Sequence, residues 1–265
     1  MIALLAIAAA VTQSMVDPAA SAKCSTGLSM RTRYRNPRVK PAWYRARQRS
    51  ITPAQKRAEA RLWPLYGLTF FHNAPLELNT AFGSPSVAPL VLEIGSGTGE
   101  ALVEYASLRP DANFVGVDWF RSGLAQCLME LEERSLTNVK LVRADAATLL
   151  ERGLSRDTTF DEVCIFFPDP WYGSPERRIV RPDVMRSISQ RMRPSGLLHF
   201  ASDVPGYPEH TRSVMTSSEA CSGEWHEVSS ADRLRPSTRY EREAISVGRP
   251  ITDLCFVYDG PLEQQ

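Results

Sequence analysis

No two of the five cysteines (Cys24, Cys127, Cys164, Cys221 and Cys255) form a CxxC pair, and their number is odd. This excludes the ligand spacing of a zinc ribbon and argues against a disulfide framework. Cys164 and Cys255 lie inside apolar runs and read as small core residues. A run of about 20 apolar residues, the length a membrane-spanning helix requires, is also missing. The most apolar stretch, Met1 to Val11, is roughly half that length. Residues 21–50 contain no Asp or Glu. What remains is of ordinary globular composition, 43% hydrophobic and 23% charged over 265 residues. A chain of that size holds one large domain with appendages.

The net charge of +1 conceals an asymmetry: residues 1–58 carry eleven Lys/Arg against Asp17 alone, a net of +10, and the remainder is −9. A basic arm on an acidic body suits contact with a polyanion such as a nucleic acid, because lysines and arginines near phosphates release counterions. The start of the chain offers a competing explanation for the basic residues. Met1 to Val11 followed by Ala19-Ala20-Ser21-Ala22 resembles the apolar core and cleavage site of a signal peptide, although the basic n-region is missing. The acid-free, Arg- and Ser-rich stretch behind it is similar in composition to an organellar transit peptide. Residues 1–42 are therefore expected to be a targeting sequence or a disordered basic extension. The compartment stays open between the cytosol and an organelle (plastid or mitochondrion), and a start chosen too far upstream of a cytosolic enzyme is the rival explanation.

Residues 43–89 read as a basic N-terminal helix and linker, with Thr52 as N-cap, Pro53 at the first helical position, and a Gly/Pro-rich stretch from Asn79 to Pro89. From 90 to 260 apolar strands alternate with helical segments. The pattern predicts strands at Leu90–Ile94, Phe114–Val117, Val139–Val142, Glu162–Phe167 and Leu197–Ala201, with helices at Glu100–Leu108, Ser122–Arg134 and Pro182–Met192. Asp253–Tyr258 adds a late, antiparallel strand. The expected fold is α/β, a mostly parallel seven-stranded sheet with helices on both faces.

The first strand of this catalytic region runs into Gly95-Ser96-Gly97-Thr98-Gly99-Glu100. Alternate glycines permit positive φ and let a nucleotide-like cofactor lie against the backbone at the carboxyl edge of the sheet. A dinucleotide site wants GxGxxG, but Glu100 stands where the third glycine belongs. Asp118, about twenty residues on, ends the next strand where a carboxylate can hold a ribose diol, and Asp145 follows the third strand within reach of an adenine edge. Glu93, just before the glycines, suits the amino-acid end of a cofactor. Any one of these acids is an ordinary strand-end carboxylate. Glu93, Gly95, Gly97, Asp118 and Asp145 together resemble the S-adenosylmethionine site of the Rossmann-like class I methyltransferases.

After the fourth strand, prolines on both sides of Asp169 in Phe166-Phe167-Pro168-Asp169-Pro170-Trp171 restrict the backbone and fix its carboxylate. The plain alternative is a turn whose Trp171 caps the core. With Arg61-Leu62-Trp63-Pro64-Leu65-Tyr66-Gly67, His199-Phe200-Ala201-Ser202-Asp203 and Thr238-Arg239-Tyr240-Glu241, the chain resembles the tRNA (guanine-N7)-methyltransferase family over roughly residues 45–258. The resemblance implies S-adenosyl-L-methionine as cofactor, tRNA as partner, and methylation of N7 of guanosine 46 in the variable loop. It further implies that Asp169 is catalytic and that Asp203, Thr238, Arg239, Tyr240 and Glu241 hold the guanosine. No metal is implied.

Three departures stand out. Tyr172-Gly173-Ser174-Pro175-Glu176-Arg177-Arg178 has no lysine where the family has a Lys/His-rich stretch, so Arg177 and Arg178 are expected to replace it as phosphate contacts. Asp118 replaces a common Glu, and Thr-Arg-Tyr-Glu replaces Thr-Lys-Phe-Glu. The rival readings are a methyltransferase acting on an exocyclic amine of another base or of a protein, and a non-catalytic RNA-binding relative. The bacterial-like core favours a chain that works alone, with a partner subunit left open.

Overall fold

The computed structural model describes residues 50–71, 74–83, 87–217, 223–229 and 235–260. The extension expected over 1–42 and the start of the basic arm lie outside the described residues. Helix α1 (Pro53–Tyr66) begins as its sequence demands. The Thr52 hydroxyl accepts the Gln55 N–H at 3.2 Å, and the Gln55 side-chain oxygen accepts the Thr52 N–H at 3.0 Å. This reciprocal cap satisfies two donors that a helix start leaves orphaned.

The strands are β1 (Gly67–Leu68), β2 (Leu90–Ile94), β3 (Asn113–Asp118), β4 (Val139–Arg143), β5 (Phe160–Phe166), β6 (Met192–Ser202), β7 (Glu224–Val228) and β8 (Thr252–Gly260). The helices after α1 are α2 (Glu100–Leu108), α3 (Arg121–Glu133), the single turn α4 (Ala146–Thr148), α5 (Pro182–Ser189), α6 (Tyr207–Met215) and α7 (Arg239–Ser246). The strands form one sheet in the order β1-β4-β3-β2-β5-β6-β8-β7. It is parallel from β1 to β6, and β8 runs antiparallel between β6 and β7.

The sheet has eight strands where seven are expected. Two have no predicted range: β7, and β1, two residues that leave α1 and pair with Leu141 and Val142 at the edge, too short to show in a hydrophobic pattern. Helix α5 stops at Ser189, short of the expected Met192, because the Arg191 N–H closes a turn onto the Ile188 carbonyl and Met192 already belongs to β6.

Period-two alternation divides the strand side chains between two apolar layers. Leu90, Leu92 and Ile94 join Val115, Val163, Ile165 and Phe200 on one face, while Val91 meets Phe114, Cys164 and Phe166 on the other. Helices cover both faces, which is why β2 is buried along its whole length. Helix α1 belongs to the second layer through Ala58 and Leu62. Its buried Glu59 accepts both the Nε–H of Arg121 at 2.8 Å and a second contact from the same guanidinium, tying α1 to the first residue of α3.

From β2 the chain winds outward through β3 to β4, then crosses back to place β5 on the other side of β2. The loops leaving β2 and β5 therefore part in opposite directions. Such a switch point opens a crevice at the carboxyl ends of the strands, where doubly wound folds bind ligands.

Candidate active site

The glycine loop forms one wall of this crevice. Gly95, Gly97 and Gly99 have φ of 81°, 55° and 85°, the left-handed region that an L side chain rarely adopts. A Cβ on Gly95 would meet nothing within 4 Å, and one on Gly97 would find only the Gly95 carbonyl oxygen at 3.9 Å. The backbone here borders open space. On its far side the loop is braced, since a Cβ on Gly123 of α3 would strike the Gly97 carbonyl oxygen at 2.6 Å.

Asp118, at the end of β3, is built into that wall. Its Oδ2 accepts the Gly97 N–H at 2.7 Å and its Oδ1 accepts the Phe120 N–H at 2.6 Å. Burial pushes its pKa up, the Phe120 and Gly97 N–H groups pull it back, and the charge of Asp169 pushes it up again. That last effect brings Asp118 and Asp169 within electrostatic range of each other. A carboxylate has about four lone-pair directions, and with the Trp119 N–H bonded as well about one remains on Asp118 for a ligand hydroxyl.

Glu93 lies buried on β2 directly below the glycines, and its Oε2 has no hydrogen-bond partner among the described residues. Burial, and secondarily the charge of Asp118, pushes its carboxyl up to about 8. A buried polar atom left unpaired is uncommon enough to call for a missing partner. Open space against the glycines, two acids below them and an orphaned carboxyl oxygen together fit a cofactor with a ribose diol and a cationic amino-acid end.

Asp145 is half-buried after β4 and caps α4: its Oδ1 accepts the Thr148 N–H at 2.9 Å and the Thr148 hydroxyl at 2.8 Å. One of its oxygens is thus committed to holding the chain that passes the crevice.

The turn after β5 forms the opposite wall. Phe167 and Trp171, at φ of 48° and 45°, bracket Pro168-Asp169-Pro170 and leave the Asp169 side chain exposed. The Phe167 N–H is fixed to the Ala201 carbonyl at 2.8 Å. Arg178 braces the same turn, donating to the Pro170 carbonyl at 3.1 Å while its guanidinium stacks 4.4 Å from the Tyr207 ring centre. Arg178 is folded inward and Arg177 lies 4.8 Å over Trp171, so both support the turn.

The substrate residues implied by the resemblance reach this wall through α7. Thr238 caps the helix, its hydroxyl accepting the Glu241 N–H at 3.3 Å. The Arg239 N–H donates to Oε2 of Glu100, the first residue after the glycine loop, at 2.6 Å, and Arg242 donates to the same oxygen at 3.1 Å. Tyr240 stacks on Phe167 with ring centres 6.3 Å apart, and the Arg239 guanidinium lies over Tyr240 at 4.9 Å. Both oxygens of Glu241 are taken by Arg235, at 2.8 and 2.9 Å. Asp203, just beyond β6, pairs with Arg249 at 2.7 Å.

Sequence reasoning missed Glu100, Arg235, Arg249 and Asp253. Glu100 follows the last glycine and has a visible position, but its partners lie about 140 residues away. Asp253 and Arg249 engage His199 and Asp203 far back in the chain, and Arg235 engages Glu241 and Asp253 only 6 and 18 residues on, but no spacing rule announces any of these pairs.

A family model described as "Putative methyltransferase" matches residues 87–254. The tRNA (guanine-N(7)-)-methyltransferase of Alkalilimnicola ehrlichii is 36% identical over 214 residues, covering 79% of this chain and 89% of that protein. Its namesakes from Nitrosomonas eutropha and Aeromonas hydrophila are 34% and 36% identical, over 80% and 79% of this chain and 94% and 89% of their own lengths.

Proposed function

We propose that this chain, which belongs to the tRNA (guanine-N(7)-)-methyltransferase family, methylates N7 of guanosine 46 in the variable loop of tRNA with S-adenosyl-L-methionine as donor. The observation that carries this reading is the pairing of two walls at one switch point: an open glycine loop above the unpartnered Glu93, and the two-proline turn that presents Asp169.

The cofactor, when bound, supplies an electrophilic methyl group on a sulfonium. Gly95 and Gly97 provide backbone close enough to pack against it, Asp118 offers its remaining lone-pair direction to a ribose hydroxyl, and Glu93 offers a carboxylate to the ammonium. Asp145 stands at the adenine end through the turn it caps. N7 of guanine carries its own lone pair, so no strong base is needed. The protein's task is to hold the purine in line with the donor and to offset the positive charge that develops on it. Asp169, exposed on a turn fixed at both ends, is the carboxylate placed to do so. Thr238, Arg239 and Tyr240 lie along the same wall. The role of Glu241 is chiefly to anchor α7 through Arg235, while Asp203 faces the guanosine from the end of β6.

The test is transfer of labelled methyl from S-adenosylmethionine to unmodified tRNA by the full chain, mapped by borohydride and aniline cleavage. Cleavage at guanosine 46, reduced at least roughly a hundredfold in Asp169→Ala with cofactor affinity retained, is the expected result. Methylated adenine, or transfer unaffected by the substitution, would overturn the assignment.

A further inference from the structure

Arg235 sits three residues before Thr238 with its side chain only 6% exposed. Four of its donor contacts are accounted for: Nε to Asp253 Oδ1 at 2.6 Å, one amino nitrogen to Glu241 Oε2 at 2.9 Å, and the other to Glu241 Oε1 at 2.8 Å and Asp253 Oδ2 at 3.3 Å. Its guanidinium lies over the Phe166 and Phe167 rings, 5.9 and 5.1 Å from their centres. Asp253 is held in turn by the buried His199 on β6, whose Nε2 stands 3.0 Å from the same Oδ1.

One planar cation therefore joins four elements. Phe166 ends β5 and Phe167 opens the Asp169 turn; Glu241 belongs to α7; Asp253 belongs to β8; and His199 connects the cluster to β6. The two carboxylates approach the guanidinium in its plane while the rings approach its face, an arrangement that a lysine cannot reproduce. Phe167 itself carries a positive φ and stacks on Tyr240, so its ring is the point where the turn and the helix meet. Arg235 grips both sides of that meeting point: its face rests on Phe167 and its edge holds Glu241.

We infer that Arg235 is a positioning residue that locks the Asp169 turn and the Thr238–Glu241 helix start into one rigid substrate wall. The inference rests on the proposed reaction for its catalytic consequence, but the locking itself is independent of the substrate. Loss of the fork frees both segments together and loosens the contact of α7 with Glu100, while the glycine loop itself keeps its bond to Asp118 and its brace against Gly123. A displacement on the order of 1 Å at a reacting centre costs roughly a hundredfold in rate.

The experiment compares the full-length wild type with Arg235→Lys, and with Arg212→Lys as a control, since Arg212 forms an exposed pair with Glu227 on α6 and β7. Amide hydrogen exchange is followed over residues 166–174 and 238–246, alongside cofactor affinity, kcat and KM for tRNA. The expected result for Arg235→Lys is faster exchange in both segments together, kcat lower by roughly ten- to a hundredfold, and cofactor Kd and tRNA KM within about threefold of wild type. Arg212→Lys leaves all of these as in the wild type. If kcat per folded molecule is retained and only the melting temperature falls, or if exchange accelerates in one segment alone, the inference is wrong. A wild type that fails to methylate tRNA overturns the proposed reaction, and the exchange pattern still decides whether Arg235 locks the wall.

Discussion

Replacing Glu93 by Gln is expected to make the protein more stable at neutral pH and worse at holding its cofactor. Glu93 is buried, its pKa is raised from an ordinary 4.5 to about 8, and the main cause is desolvation with a smaller push from Asp118. Between those two values the native state keeps a proton that the unfolded chain has released. The native state then binds more protons than the unfolded state, so stability falls as pH rises. The contribution is complete below pH 4.5 and is lost as pH climbs through about 8. At about 1.36 kcal/mol per unit the full window amounts to roughly 5 kcal/mol, and the slope is steepest in its middle.

The amide introduced by Glu93→Gln mimics the protonated acid and does not titrate, so comparing the variant with wild type cancels most other groups. From about pH 5.5 to 7.5 the variant should gain about 2.5 kcal/mol on the wild type. In a chain of this size that widens the gap in melting temperature by roughly 5–10 °C. Urea melts at three pH values in that range measure it directly. A stability difference that stays constant within about 0.5 kcal/mol would refute the account of Glu93 as a carboxyl forced neutral by burial. On the proposed function the same protonation opposes binding, because a neutral acid cannot complement the cofactor's ammonium. Wild-type affinity should therefore improve as pH approaches 8, while Glu93→Gln binds more weakly at every pH despite its greater stability, a familiar trade between a strained site and a stable one.

Two further substitutions separate site from scaffold. Gly95→Ala places a methyl group in open space at φ 81°, so the free protein should lose about 1–2 kcal/mol of stability to backbone strain. Cofactor affinity, by calorimetry, should fall at least roughly tenfold because the methyl fills the gap the backbone was leaving, and unchanged affinity would place the cofactor elsewhere. Arg121→Ala leaves Glu59, with a side chain only 7% exposed, without its partner. It should cost about 3–5 kcal/mol in urea denaturation, with much of that recovered when Glu59→Gln is added. A single variant as stable as wild type would mean that Glu59 finds another partner.

The legibility of this protein in its sequence follows the range of the interactions involved. Leu90–Ile94 and Glu100–Leu108 are matched residue for residue because a fully buried strand and the helix behind it are specified by their own side chains. The antiparallel β8 is legible as an apolar run, but the expected Asp253–Tyr258 extends in the fold to Thr252–Gly260. The helix of Tyr207–Met215 and the strand of Glu224–Val228 go unannounced: one starts from a Gly at φ 75°, and the other is largely exposed, with no alternation to betray it.

The site divides along the same line. Gly95, Gly97 and Asp118 are readable because the hydrogen bond between the loop and the strand end joins residues about twenty apart in a fixed βαβ geometry. The Thr238–Glu241 signature is legible as a pattern, but the pattern has two sources. Thr-x-x-Glu is a helix-capping sequence, and here Thr238 does cap, while the acid that usually reaches back to the cap turns instead to Arg235. Arg178 illustrates the converse. Its position invites a phosphate, but in the folded chain it faces Tyr207 and the Pro170 carbonyl. In both cases a charged residue beside the candidate substrate wall is occupied in holding that wall in place. Where family patterns at such a site include acids or arginines, their partners within the fold decide whether a substitution changes affinity for substrate or the rate at which aligned substrate reacts.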